Sequence, residues 1–435
     1  MSPHNDPTIT RAWTMYDWAN SAYSLIITSA IFPAYFTAIL PENIQLLGHT
    51  FTRASVASYS ISLSFIIVAI LSPILSGIAD SYGNKKSFMK FFCYLGAIAC
   101  MLLFWFRKGA DGEVNISYGL LCSILASIGY CGSIVFYNAY LPEIVSKDQQ
   151  DDVSAKGFAM GYIGSVILMV FCFAFIMADE QLAWGLGDLP ARISFLAVGI
   201  WWIAFAQITF YHLPAPAVDR DTTKQEGIWL QGYKALQKVW LDITHRPTLQ
   251  YYLIAFFFFN MGVQTVMYMA TYFAADELHM STPQLLGVVL VIQLVAILGA
   301  RLSAFLSSKI GNLPSLIVLI IIWMCICVAA YYVYSVTGFY ALAFAVGMVM
   351  GGIQSMSRSS YAKMLPANTD TASYFSFYDV CEKVGIVIGT LTFGLVADML
   401  GGMRHSALGL LMYFFIGLLF LIYTLQIGHK KQLTS

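Results

Sequence analysis

Charge is what this sequence has least of: 23 Lys and Arg and 23 Asp and Glu in 435 residues, or 11%, where a soluble domain carries roughly a quarter. With 59% hydrophobic residues and a mean hydropathy of +0.71, a water-soluble globular class is excluded and a polytopic membrane protein is expected. No charged leader with a cleavage site precedes the first apolar run, so no removable signal peptide is expected. The eight cysteines all lie in apolar runs and read as small hydrophobes, not as disulfides or metal ligands. The seven histidines fall in loops or at segment ends. Neither a metal cluster nor a nucleophile with a base is visible, so neither an enzyme nor a cofactor is expected. A Gly-rich nucleotide loop with Lys and Ser/Thr is missing too, so any work done on a solute must draw on a gradient. Nothing points to nucleic acid.

What is present is a series of apolar runs long enough to cross about 30 Å of hydrocarbon. Six occur near Met15–Leu40, Ser55–Asp80, Phe88–Phe106, Ile116–Leu141, Phe158–Ala178 and Ile193–His212. Six more follow near Leu249–Ala275, Pro283–Ser308, Pro314–Tyr334, Gly338–Leu365, Ser373–Ala397 and Ser406–Ile427. The expected architecture is all-α, with twelve transmembrane helices in two pseudo-symmetric six-helix bundles over 1–212 and 249–435. If the N-terminus is cytoplasmic, 17 Lys and Arg lie on the inside and five outside, Lys383 within a span completing the 23. This bias places both termini in the cytoplasm of a cell inner membrane. The polar interval 213–248 reads as a cytoplasmic linker. Its part GIWLQGYKALQKVWLDI spaces Trp229, Leu236, Val239, Trp240 and Ile243 as an amphipathic helix on the membrane surface.

The halves echo one another, as repeat-built transporters do. SGIADSYGNKK after span two and AFLSSKIGNLP after span eight both turn on Gly-Asn, at Gly83–Asn84 and Gly311–Asn312. YNAYLPEI and SSYAKMLPAN both end a span in Leu-Pro, and GYIGSVI pairs with KVGIVIG. The glycines of these runs, Gly157, Gly161, Gly164 and Gly385, Gly389, Gly394, read as sites of close helix packing.

Charges inside spans need a reason, since an ionisable group at the bilayer centre costs about 2.5–3.5 kcal/mol. Span ten holds Gln354 and Arg358, and span eleven holds Asp379, Glu382 and Lys383, which share a helical face. Arg358, Asp379 and Glu382 are expected to form one charge cluster, with Asp17 of span one in reach and Glu382 as the proton-coupling acid. The alternative is local pairing and snorkelling of Arg358 and Lys383 at helix ends. Asp17, Asn20 and Tyr23 in span one, Asn138 in span four, and Asn260 and Gln264 in span seven add polar groups that either bind a solute or join helices. Spans one, four, seven and ten are expected to line a central cavity, leaving three, six, nine and twelve to lipid.

Asp80 ends a helix, where its charge opposes the helix dipole, so it needs a partner: Lys85 or Lys86, or the N-terminus of a helix from the other half. Gly77, Ala79, Asp80, Gly83, Lys85 and Lys86 match the loop-two signature of the major facilitator superfamily, with Asn84 where a basic residue is common. That resemblance implies a gating loop, and Asp80 should meet Ser373–Ser376 when the protein is closed inward. YDWANSAY in span one resembles the vacuolar-effluxer-like branch, the autophagy-related amino-acid exporters and their bacterial relatives. FFFFNMGVQTVMYMATYF, GGIQSMSRSSYAKMLP and SFYDVCEKVGIVIGTLTFG extend the resemblance over most of the chain. Thr390 departs from a common Gly-Pro, and the short loops favour a bacterial type. The resemblance implies a secondary transporter exporting amino acids or similar small polar solutes. A monomer in the lipid bilayer is expected, with protons as the candidate driving ion. The alternative is a non-transporting sensor or receptor on the same fold.

Overall fold

The structure is a computed structural model that describes residues 4–46, 48–81, 84–109, 112–214, 228–366, 370–400 and 402–434. Its first span runs as α1 (Pro7–Ala22), a π-helical stretch (Tyr23–Ala30) and α2 (Ile31–Ile39). A hairpin of β1 (Asn43–Leu46) and β2 (His49–Thr52) leads into α3 (Arg53–Ser81), α4 (Lys85–Leu102), α5 (Ile116–Ile144), α6 (Gln150–Leu182) and α7 (Leu189–His212). After α8 (Ile228–His245) come α9 (Pro247–Leu278), α10 (Thr282–Ile310), α11 (Asn312–Tyr332), α12 (Val336–Met364), α13 (Thr371–Leu400) and α14 (Met403–Thr434). Twelve of these segments are long and apolar enough to cross a membrane. An even number of crossings puts both termini on one face, called here the terminal face.

Helix ends follow local chemistry. Asp6 caps α1 by accepting the Thr8 amide at 2.7 Å, with Pro7 at the first helical position. Gly311 sits at φ +88° between α10 and α11, the conformation expected of the second Gly-Asn turn. Gly83 of the first such turn lies outside the described residues. Several helices outrun the apolar runs that announced them. Span five was expected from Phe158 but begins at Gln150, because its first two turns are polar and pack against protein.

The fold is that of two six-helix halves. In the first, α1 packs on α6 and α7, α4 on α5 and α7, and α3 on α5. In the second, α9 packs on α13 and α14, α10 on α12, and α11 on α14. The halves meet where α3 and α5 touch α13, and where α6 touches α10 and α12. Small residues set these approaches: a Cβ at Gly161 would press on the Ser21 hydroxyl, and one at Gly389 on that of Thr265. Close packing explains these glycines, whereas nothing lies within 4 Å of a Cβ at Gly394.

Exposed apolar surface is wider than the four outer spans foreseen. Large apolar side chains stand exposed on α4, α7, α11 and α14, but also on α10 (Leu298, Phe305) and the far end of α13 (Leu395, Met399). Asn260 and Tyr23, placed on the inner side by the sequence, are both buried.

The linker helix α8 does more than rest on a surface. Val239 and Ile243 are buried where α8 crosses α3, and the crossing is so close that a Cβ on Gly77 would overlap the Gly232 carbonyl. α8 also reaches α13: Asp242 accepts the Tyr374 hydroxyl, and the Trp240 and Phe377 rings lie 5.8 Å apart. It therefore touches both halves. Burial opposes ionisation of the Asp242 carboxyl, but the Tyr374 hydroxyl and Arg246, paired at 2.6 Å, outweigh it and hold the carboxyl below its ordinary range.

Candidate functional site

Arg358 lies on α12, one and a half turns before the helix ends, and is 3% exposed. Every donor of its guanidinium is used by the other half. Nε donates to Ser154 Oγ at 3.0 Å, and Nη2 to the Ser154 carbonyl at 2.9 Å and Asp17 Oδ2 at 3.3 Å. Nη1 donates to Asp17 Oδ2 and Asn138 Oδ1, both at 3.3 Å. The Tyr137 hydroxyl supplies Asp17 Oδ2 with a further bond at 2.7 Å. The rings of Phe158 and Trp13 lie 4.3 Å and 4.8 Å from the guanidinium carbon. A Cβ on Gly157 would collide with the Asp17 carboxylate, which gives that glycine its role. Five hydrogen bonds to four acceptor atoms, with aromatic rings close by, leave Arg358 no capacity for a ligand. Next to it, Tyr162 donates to Gln354 Oε1 at 2.6 Å and Ser154 to the Ser355 carbonyl at 2.8 Å, again across the halves.

The expected single cluster is thus two. Asp379 and Glu382 do not pair with Arg358; they pair with Lys383 of their own helix, at 3.3 Å and 2.8 Å. The reason is geometric: the i, i+4 spacing brings Asp379 and Lys383 together on α13, while Arg358 turns toward α1 and α6. Lys383 is 4% exposed and lies 5.9 Å from the ring of Phe65 on α3, which meets Tyr268 of α9 edge-on. Asp379 Oδ2 is buried with no hydrogen-bond partner among the described residues. Two acids and one base give this triad a formal surplus of one negative charge.

At the terminal face, Asp80 closes α3 onto α13. Its Oδ2 accepts the Ser373 amide at 2.7 Å and hydroxyl at 2.8 Å, and Oδ1 accepts the Ala372 amide at 3.4 Å. This caps α13 from another helix, so the dipole of α13 offsets the opposing dipole of α3. Lys85 stands 3.5 Å from Asp80, donates to Thr371 Oγ1 at 2.9 Å, and is also bonded to Glu143 at the end of α5. Lys86 is elsewhere, on the Leu213 carbonyl. Glu143 went unread in the sequence, although it sits in the Leu-Pro echo LPEI.

A second closure on the same face also went unread. Asp151, at the start of α6, accepts Asn312 Nδ2 at 2.7 Å, the Ser307 hydroxyl at 2.7 Å and Lys363 Nζ at 2.6 Å. The other three come from α10, α11 and α12. The signal was in the second copies of the echoes, since Asn312 is the Asn of the second Gly-Asn turn and Lys363 precedes the second Leu-Pro.

Of the remaining candidates, Asn20 and Asn260 are buried with free amide nitrogens among the described residues. Tyr23 begins the π-helical stretch and packs on Tyr130 at 4.8 Å and Trp202 at 5.8 Å. Gln264 is half-buried on α9.

A membrane-embedded pair of six-helix halves, locked to each other by buried ion pairs and capped helix ends, defines a transporter of the major facilitator fold. FucP in its outward conformation overlays with a TM-score of 0.73 at 15% identity, covering 97% of this chain and 99% of that one. The proton:xylose symporter XylE, bound to 6-bromo-6-deoxy-D-glucose, gives a TM-score of 0.68 at 14% identity over 96% and 95%. Within that fold, the profile of the family described as vacuole effluxer Atg22 like matches residues 5–433, and the chain belongs to that family. It is 30% identical to the MFS-type transporter YxiO of Bacillus subtilis over 95% of this chain and 94% of that one. Autophagy-related protein 22 of Kluyveromyces lactis is 26% identical over 86% and 79%.

Proposed function

We propose that this protein is a secondary active transporter that exports a small polar solute, with amino acids the first class to test, by alternating access in a cell inner membrane. The 17 to 5 distribution of Lys and Arg supports a cytoplasmic terminal face. The bundles 1–212 and 249–435 rock about the fixed seam between them, and 213–248 joins them. In the state described, the cytoplasmic side is shut by the Asp80, Asp151 and Arg358 contacts.

The observation that carries the energetic part is the Asp379–Glu382–Lys383 triad. A surplus negative charge at membrane depth is costly, and adding one proton to either acid removes it. Protonation also frees Lys383 from one partner, which gives the two protonation states different contacts along the α3–α13 seam. This difference is what coupling requires, because a ligand shifts a two-state equilibrium only by its differential affinity. The test is flux of labelled amino acids in proteoliposomes under an imposed pH gradient of either sign. Uptake that follows the gradient and collapses with a protonophore supports the reading. Gradient-independent equilibration removes the protons, and no flux of any solute favours a receptor.

A further inference from the structure

At the face opposite the termini the two halves repeat one feature, and the first half adds to it. Arg192 lies near the start of α7 and Arg404 near the start of α14, so each opens the sixth span of its half. Each reaches the end of its half's third span. Arg192 Nε donates to the Phe104 carbonyl at 2.7 Å, and Arg404 Nη1 donates to the Tyr331 carbonyl at 3.1 Å. An aromatic ring lies beside each guanidinium carbon, Phe104 at 4.7 Å and Tyr334 at 4.0 Å. An acid pairs with each, Asp188 at 3.4 Å and Glu277 at 2.9 Å. What both halves share reads as a clamp that joins helix ends.

What the first half adds needs another reason. Beside Arg192 opens a cleft of about 440 Å³ whose lining includes Phe104, Trp105, Arg107, Asp188 and Leu189. Arg192 is 5% exposed, and its Nη2 has no hydrogen-bond partner among the described residues. Arg107 is exposed and pairs with no acid among the described residues. Asp188 is already engaged on both oxygens, Oδ1 with Arg192 and Oδ2 with the Tyr35 hydroxyl at 2.9 Å. Two cations and one acid leave the cleft with one formal positive charge. The second half has no counterpart to Arg107, since Tyr331–Thr337 at the end of its third span contains neither Lys nor Arg.

The level of the cleft selects its ligand. Span three ends at Trp105 and span six begins at Leu189, so the cleft lies at a membrane boundary. Trp105 stands 57% exposed there, as Trp side chains do at the headgroup level. Arginine N–H groups match phosphate oxygens in geometry as well as charge, while Trp105 and Leu189 offer apolar surface to whatever is attached to the phosphate. The volume is that of a small-ligand site.

We propose that this cleft binds the phosphate of an anionic phospholipid headgroup from the leaflet opposite the terminal face, with Arg107 and Arg192 Nη2 as its donors. The Tyr35 hydroxyl that meets Asp188 also donates to the Phe106 carbonyl at 2.7 Å, which connects the cleft to α2. A bound headgroup therefore ties the far ends of spans one, three and six into one unit.

The test is native mass spectrometry and thermal unfolding of the delipidated full-length protein with phosphatidylglycerol, soluble glycerophosphoglycerol or inorganic phosphate. Arg107→Gln removes the exposed donor and leaves the Arg192 clamp in place; Lys108→Gln removes a neighbouring charge that does not line the cleft. Phosphatidylglycerol should bind the parent and raise its melting temperature. It should bind Arg107→Gln about tenfold more weakly and Lys108→Gln within about twofold of the parent. If the soluble anions bind as well as the lipid and with the same dependence on Arg107, the site takes free phosphate and the lipid assignment is overturned. Lipid binding that is absent from the parent, or equal in all three proteins, overturns the site itself.

Discussion

Arg358 and Asp17 meet at 3.3 Å across the two halves, 341 positions apart in the chain, and both are buried. Removing one partner of a buried pair typically costs about 3–5 kcal/mol, because the other charge is left behind. Arg358→Gln should therefore destabilise the closed state strongly, and Asp17→Asn with Arg358→Gln should recover part of the loss. Arg358→Lys should not rescue, since an ammonium has three donors and cannot reach four acceptors laid out for a planar fork. Thermal unfolding in detergent of the parent, both single variants, the double and Arg358→Lys checks this, and an additive double mutant would count against a coupled pair.

Asp80 holds the first turn of α13 by two short bonds to Ser373. A hydrogen bond to a charged group contributes about 1.5–3 kcal/mol, so Asp80→Asn should shift the protein toward states open on the terminal face. Ser373→Ala should shift it less, because the backbone bond survives. The readout is the rate at which a cysteine at Ser355 is labelled from that face. Equal rates in parent and Asp80→Asn would refute a gating role. The same measurement on Lys363→Gln should also show opening, as the Asp151 contact is the counterpart in the other half.

Much of the architecture was legible because a bilayer imposes it: span count and two-fold echoes follow from hydropathy and repeated turns. The partner of Asp80 was legible too, since a carboxylate at a helix C-terminus poses a defined electrostatic question. The partners of Arg358 were not fully so. Equal depth along two neighbouring helices made Asp379 and Glu382 reasonable candidates, yet depth leaves rotation about the helix axis undetermined. The orientation of α12 is set by small residues, with a Cβ at Gly351 overlapping the Ala296 carbonyl and one at Gly352 the Ser303 hydroxyl. Asp151 was invisible for a related reason: it precedes the apolar run of its span, in a segment that reads as loop until its contacts with the other half are known.

The Lys383 triad gives a pH prediction whose sign follows from charge. With both acids ionised it carries one negative charge in excess; one proton neutralises it. If transport needs that proton, Glu382→Gln or Asp379→Asn each fix one neutral carboxyl analogue, so the variant behaves as permanently protonated. Exchange of solute down its own gradient should persist, while pH-driven accumulation is lost and the pH profile of flux flattens. A variant whose profile and driving-ion requirement match the parent removes that acid from the coupling step. A loss of stability with an unchanged profile identifies a structural ion pair.

Gly77 opens the loop-two signature, and the structure gives it a partner outside that loop. Its Cα faces the Gly232 carbonyl of α8, and a methyl there would overlap backbone that has no side-chain freedom to yield. Gly77→Ala must therefore push α8 away from α3. Because α8 also holds α13 through Asp242 and Tyr374, the displacement should reach the Asp80–Ser373 contact, which joins the same two helices. Two measurements separate this chain of effects from local damage. Hydrogen exchange over 228–245 should quicken in Gly77→Ala, and cysteine labelling at Ser355 should quicken with it. Tyr374→Phe, which cuts only the tie to α13, should reproduce the labelling effect in part while leaving the crossing of α3 and α8 protected. The depressed Asp242 carboxyl adds a pH sign: its tie is complete above the ordinary carboxylate range near pH 4 and is lost as pH falls through the lowered value. Faster exchange in α8 with unchanged labelling would show that the helix packs on the gate without governing it.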